Sequence, residues 1–310
     1  MWKYIVKRVL FLIPILLLSS LLVFCLMSAT GDPAWTIVGE HGTMEEYLAV
    51  RERLGLDDPL LVRYGNYIKD VVFEQDLGQD IYGRDIWDEY MQRLPNTLSL
   101  AVVSILLTAF MALALGIVAA VKQNTPFDYG ASTLAILGMS IPNFWLGLML
   151  MIVFSLTLGW LPTSGADEGV KSIILPAIAT SVSNAALVAR MTRSSMLDCL
   201  RADYLRTARA KGVKEKTIVL KHALGNAIIP ILTSLSNQFA ILIGGSVVIE
   251  TVFSWPGVGS MIIAAVKSKD STTVTGSVML TTVLVAVVLL VVDVLYAYLD
   301  PRIKAKYLGK

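Results

Sequence analysis

The sequence predicts an all-α integral membrane protein with six transmembrane helices and both termini in the cytoplasm. Three observations predict it. Hydrophobic residues fill 55% of the 310 positions and charged residues only 16%, a balance too apolar for a soluble domain of this length. The apolar residues gather in runs long enough to cross about 30 Å of hydrocarbon. The basic residues also segregate. With the N-terminus inside, 17 of the 26 Lys and Arg fall in segments that alternation places in the cytoplasm, as the positive-inside rule requires. A net charge of +2 is too small to indicate nucleic acid as a partner.

The spans fall at about 9–29, 97–121, 129–158, 172–193, 227–249 and 273–299. Lys3, Lys7 and Arg8 ahead of a run to Met27 have the charge and length of a signal anchor, since a cleaved signal peptide has a shorter apolar region. Gly138, Ser140, Pro142 and Asn143 interrupt the third span. It reads as a bent helix or two pieces, because proline removes a helical hydrogen bond and clashes with the preceding turn. The fourth carries Thr180, Ser181, Ser183 and Asn184, so it should face protein or a water-filled path. Residues 1–95 form an N-terminal part, one transmembrane helix plus an extracytoplasmic segment. Residues 96–310 form a five-helix core with a cytoplasmic loop at about 198–222.

The extracytoplasmic segment carries 14 acids and reads as two short amphipathic helices, Met44–Leu54 and Leu60–Val72, broken at Asp57-Asp58-Pro59. Further on, Ser254-Trp255-Pro256-Gly257 is turn-rich, with Trp255 suited to the headgroup level. Glu250 lies at the outer end of a span and is a candidate outer-face contact for an extracytoplasmic partner; Asp293 is expected to pair inside the bundle.

Chemistry is sparse. Cys25 and Cys199 lie at different depths, and His41 and His222 on opposite sides, so neither pair makes a disulfide or a shared metal site. Met149–Met151 suits packing better than metal ligation. No catalytic residue, cofactor or metal is expected in this chain. No Gly-x-x-x-x-Gly-Lys-Ser/Thr loop occurs to cradle nucleotide phosphates.

The informative stretch is the long basic loop. Arg201–Lys211 is rich in helix formers, Gly212 stops it, and Val213, Ile218 and Leu220 resume an apolar pattern: helix, glycine turn, helix. Such an element suits docking to a partner, with Arg206 and Arg209 for charge and Ala208, Ala210 and Val213 for apolar contact; a basic loop on anionic lipid is the alternative. Arg190 and Arg193 read as interface anchors or lipid contacts. In the spans, Ser140, Asn143, Ser181, Asn184, Ser236, Asn237, Gln238 and Ser246 are small neutral polar groups that either line a solute path or join helices by hydrogen bonds.

Several ordered strings carry a resemblance. Thr207-Ala208 with Gly212 is similar to the Glu-Ala-Ala-x-x-x-Gly loop of ABC importer permeases, although Arg206 and Thr207 stand where that pattern has Glu and Ala. The string Asp203–Val213 and Lys221–Pro230, the latter with Gly225 in place of a proline or a basic residue, resemble the dipeptide, oligopeptide and nickel branch. So do Gly31-Asp32-Pro33, Leu54–Leu60, Ser140–Gly147, Gly159–Gly165, Val248–Gly259 and Val292–Pro301. The resemblance implies the type I importer permease fold and a first permease subunit of a prokaryotic cell membrane. It implies a second permease, two ATPase subunits that bind ATP and Mg, and an extracytoplasmic binding protein. The implied cargo is a dipeptide or oligopeptide, glutathione included, with nickel or a metal chelate as the alternative. It also implies that Gly212 and its neighbours couple the chain to an ATPase. A gradient-driven secondary transporter or a membrane scaffold would lack these partners, and of the features such a transporter favours only the broken third span is present.

Overall fold

The computed structural model describes residues 2–39 and 42–299. The expectations for His41, the Asp293 side chain and the basic tail beyond residue 300 fall outside the described residues. In chain order the helices are α1 (Trp2–Ala29), α2 (Pro33–Val38), α3 (Met44–Arg53), α4 (Leu60–Lys69), α5 (Ile86–Val121), α6 (Pro126–Ser140), α7 (Asn143–Leu150) and α8 (Val170–Leu200). There follow α9 (Asp203–Ala210), α10 (Glu215–Thr217), α11 (Leu224–Gly245), α12 (Val247–Val252), α13 (Val258–Lys267) and α14 (Ser271–Leu299). Wider π turns extend α4 through Asp70–Glu74 and α7 through Met151–Thr157, and join α10 to α11 through Ile218–Ala223.

Among the described residues, five helical stretches are long and apolar enough to cross a membrane: Leu10–Ala29, Ile86–Val121, Val170–Leu200, Glu215–Gly244 and Ser271–Val292. Pro126–Ser140 and Asn143–Thr157 supply a sixth if the 97° bend between them lies within one span. The expected interruption is thus real. Ile141 and Pro142 are extended at ψ 121 and 135, because proline disfavours the helical region for the residue before it. Helix α5 starts at Ile86, well before the apolar run near 97, and its polar first turns are held by Arg93 on Glu89 at 2.6 Å. Hydropathy locates the part of a helix in lipid, and backbone bonding continues past it.

The chain divides into two units, Leu98–Trp255 with the chain from Val291, and the chain to Thr97 with Pro256–Leu290. In the first, α8 is the hub, packed by α6, α7 and α11. Its most apolar window is 61% buried, against 17–33% for the other spans. Glycines bring neighbours close. A Cβ at Gly116 of α5 would lie 2.5 Å from Thr192 Cβ and 2.7 Å from the Ala189 carbonyl; one at Gly138 would touch Val182 and Ala186, and one at Gly147 would lie 3.0 Å from Phe253 and 3.6 Å from Ala179. Lipid is as apolar as leucine, so association rests on close van der Waals packing, which small residues permit.

The other unit is organised by Asp32. Its carboxylate caps α2 through the Ala34 N–H at 2.8 Å and accepts from the Tyr47 hydroxyl at 2.7 Å and from the Arg51 guanidinium. Arg51 also pairs with Asp57. The acids of two family-like strings, Gly31-Asp32-Pro33 and Leu54–Leu60, therefore converge on one arginine. A capping box at Thr43 and Glu46 starts α3, as the two expected amphipathic helices require. Tyr64 of α4 bonds to α1 through Ser20 Oγ and the Leu17 carbonyl, each at 2.9 Å.

Two outcomes follow from this packing. Gly116→Val should overpack α5 against α8 and cost about 1–3 kcal/mol or more, lowering Tm in detergent, whereas Gly130→Ala, with nothing within 4 Å, should not. Equal Tm values would remove Gly116 from the packing account. For Asp32, burial would raise the carboxyl pKa, but hydrogen bonds from Tyr47, Ala34 and Arg51 outweigh it and hold it below its ordinary value. A depressed carboxyl contributes stability that is complete above its unfolded pKa near 4 and lost as pH falls through the folded value. Protease resistance of residues 33–58 should therefore fall on acidification below about pH 4, and Asp32→Asn should flatten that dependence.

Candidate coupling element and polar path

The segment after α8 folds as the sequence predicts. Ala202 is extended, α9 follows, and Gly212 closes it at φ +79. The Gly212 N–H donates to the Arg209 carbonyl at 2.9 Å and the Val213 N–H to the Ala208 carbonyl at 3.2 Å, the paired bonds of a Schellman stop. Ala208 and Val213, the residues that bracket this stop, pack on a core cluster that contains fully buried Leu205 and Ile218 together with Met196 of α8 and Ile231 of α11. The element is thus tied to both flanking spans.

Its outward face differs from the sequence expectation. Ala208 and Val213 are half-buried against the chain's own core, while Ala210, Gly212, Arg206 and Arg209 are exposed. The exposed apolar groups are Tyr204 and Leu220, which alternation of charge and small residues did not single out. Arg209 is engaged by Glu215 at 2.8 Å, and Arg206 lies 3.7 Å from Asp203. Exposed pairs of this kind would add little affinity for a partner.

The polar candidates separate by burial. Ser181 is fully buried and donates to the Ser104 carbonyl at 2.9 Å; Ser246 is buried and donates to Glu250 at 2.8 Å; Gln238 is buried. Asn143, at the α6–α7 break, accepts from Ser183 of α8, which joins the break to the hub. Ser140 and Asn237 are exposed, and Asn184 and Ser236 half-buried. Ser140 is satisfied by the Ile136 carbonyl at 2.9 Å. Ser181 therefore joins α8 to α5 and Ser246 holds Glu250 one turn on, whereas Ser140, Asn143, Asn184, Ser236 and Asn237 keep surface outside the core.

Three residues sit elsewhere than the sequence reading put them. Glu250 is 0% exposed, so it is no outer-face contact in this structure; its carboxylate turns back to Ser246, one helical turn earlier. Trp255 is buried with Leu175, Ile249 and Phe253 instead of standing exposed. Arg193 is engaged within the chain. It makes two hydrogen bonds with the buried Asp128 of α6, at 2.6 and 2.7 Å, while Asp128 also accepts from the Asn124 N–H. The partners are 65 positions apart, and local patterning cannot pair them. Among the described residues no cluster of three or more His, Cys, Asp or Glu is placed to hold a metal.

Comparison with known proteins places this architecture. Residues 112–305 match the family described as binding-protein-dependent transport system inner membrane component, and residues 1–101 match the N-terminal region of such membrane components. The chain belongs to this family. The glutathione transport system permease protein GsiC of Salmonella choleraesuis is 43% identical over 308 residues, 99% of this chain and 100% of the relative. The Escherichia coli protein of the same name is 42% identical over the same length. Among solved structures, the inward-facing MetNI methionine ABC transporter matches with a TM-score of 0.59 at 19% identity, over 68% of this chain and 96% of that one. An amino acid ABC transporter matches at 0.55 and 15% identity, over 68% and 94%. The expected permease fold is thus present.

The Asp128–Arg193 pair supplies a test at this site. Removing one partner of a buried pair leaves an uncompensated charge and costs about 3–5 kcal/mol. Arg193→Met should therefore lower Tm strongly, and Asp128→Asn with Arg193→Met should recover a large part of the loss; additive losses would show that the pair is not coupled.

Proposed function

We propose that the chain is the transmembrane permease subunit of an ATP-driven importer that moves dipeptides or oligopeptides, glutathione among them, into the cytoplasm by alternating access. The observation that carries this reading is end-to-end similarity to permeases named for glutathione transport, at 43% identity over 99% of the chain. Its partners are a second, similar permease, two ATPase subunits holding ATP and Mg, and an extracytoplasmic binding protein. The site is the cytoplasmic membrane of a prokaryote with both termini inside, a placement supported by the location of Lys and Arg. Residues 1–95 would serve the outer face and 96–310 the translocation core.

In this reading α9 and the Gly212 turn sit in a cleft of one ATPase subunit. Leu205, Ala208 and Val213 root the element in the core, and Tyr204, Arg206, Ala210 and Leu220 present its surface. A push on α9 reaches α8 directly, since only Arg201 and Ala202 separate them. Helix α8 carries it to the α6–α7 break through the Asp128–Arg193 and Ser183–Asn143 contacts. Ser140, Asn143, Asn184, Ser236 and Asn237 are the solute-facing candidates; neutral groups of this kind admit a zwitterion without holding it tightly.

Vesicles containing the complete complex should take up labelled glutathione or dipeptide only with internal ATP and external binding protein. Gly212→Val should strain an αL position by about 1–2 kcal/mol and lower uptake at least tenfold while ATP hydrolysis persists. Uptake that follows an ion gradient without ATP, or nickel in place of peptide as the cargo, would replace this reading; normal coupling in Gly212→Val would remove the role of the turn.

A further inference from the structure

Helix α4 places Arg63, Asn66, Tyr67 and Asp70 on one face at i, i+3, i+4 and i+7, and all four line a cavity of about 280 Å³. This is close to the lower end, about 300 Å³, of the range for small-molecule sites. Arg63 also lines a second cavity of about 180 Å³, together with Ser28, and the two share Pro33, Leu56 and Ser271. The residues all belong to the unit organised by Asp32.

Two charged groups in this cavity, Arg63 and Asp70, pair with no opposite charge among the described residues. Arg63 is half-buried, 5.5 Å above the Phe24 ring, and that ring is its partner among the described residues. Burial pushes its guanidinium pKa down despite the charges of Asp32 and Asp58, so part of its hydration is already lost. The Asp70 side chain has no ion pair or hydrogen bond among the described residues. By contrast Asp32, Arg51 and Asp57 bind one another, Asp80 binds Arg84, and Asp270 binds Thr273.

We propose that this cavity binds a small zwitterion of dipeptide length, with its carboxylate on Arg63 and its ammonium on Asp70. Seven residues of helix separate Arg63 from Asp70 by about 10 Å along the axis. An extended dipeptide spans about 7 Å between its termini, the same order as this separation. A plain anion would meet the carboxylates of Asp58, Asp70 and Asp76 in the same wall, and a plain cation would meet Arg63. A molecule with both charges meets neither penalty. The choice of a peptide among zwitterions of this length rests on the import function proposed above; the charge arrangement does not.

The test uses the full chain purified in detergent without its partners, with thermal unfolding recorded against millimolar dialanine, dialanine amide and N-acetyl-dialanine. A ligand that binds the folded state raises Tm with concentration. Dialanine should do so, and each blocked analogue should bind about tenfold more weakly, the loss of one charge-assisted contact. Arg63→Gln should abolish discrimination against the amide and keep discrimination against the N-acetyl form, and Asp70→Asn should do the reverse. If Arg63→Gln does not fold, Arg63→Lys, which keeps the charge and loses the two-pronged contact, should weaken dialanine and leave the amide unchanged. Equal shifts with all three ligands, no shift with dialanine, or wild-type selectivity in these variants would overturn the proposal. Since neither ATP nor the ATPases take part, failure of uptake in vesicles would sink the import reading and leave this site standing.

Discussion

Close approach at three glycines of α5, α6 and α7 is the constraint on which the membrane-spanning core depends. Gly116, Gly138 and Gly147 meet α8 along the small-residue face that runs from Ala179 to Thr192. In water a helix is driven inward by its apolar stripe; in lipid that force is absent, and contact distance decides association. The prolines in α5, α8 and α11 fit the same setting. In α8 the Thr180 hydroxyl donates to the Pro176 carbonyl one turn earlier at 2.7 Å, which satisfies that buried hydroxyl within its own helix.

A hub packed so tightly cannot bend freely, which gives the polar contacts of α8 their meaning. Asp128 is nearly fully buried and Arg193 partly so. An ion pair in that setting is weak evidence for stability, because desolvation offsets much of the attraction. What it supplies is a fixed register between α6 and α8 close to the point where α8 gives way to the coupling element. Ser183 and Asn143 do the same at the break. The first half of the interrupted span is thereby held near both of its ends by one helix.

Hydropathy and proline made the spans and the break legible, and glycine with flanking helix formers made the α9 turn legible, since these are local properties of the chain. The site was less so. Ala208 and Val213 look like surface contacts in sequence because nothing nearby shows that the element folds back on Met196 and Ile231. Glu250 was placed at an outer surface because a charge at the end of an apolar run ordinarily lies there. Its burial depends on Ser246 and on the return of residues 159–165, where the Gly165 N–H bonds to the Phe253 carbonyl at 2.9 Å. Arg193 shows the same limit most plainly, as its partner belongs to another span. The convergence of Asp32 and Asp57 on Arg51 gives a physical reason for two strings that sequence reading could only match by pattern.

Gly116 and Gly212 are both indispensable in this account, yet for different causes. Gly116 has no room: a carbon there meets a carbonyl and a side chain at under 3 Å. Gly212 has unlimited room, with nothing within 4 Å, and is held only by the sign of its φ angle. The first constraint is one of volume and the second one of handedness. A D-alanine built into the chain by semisynthesis would therefore be welcome at 212, where it favours the left-handed turn and narrows the unfolded ensemble, and unwelcome at 116, where its preferred hand opposes the right-handed helix around it.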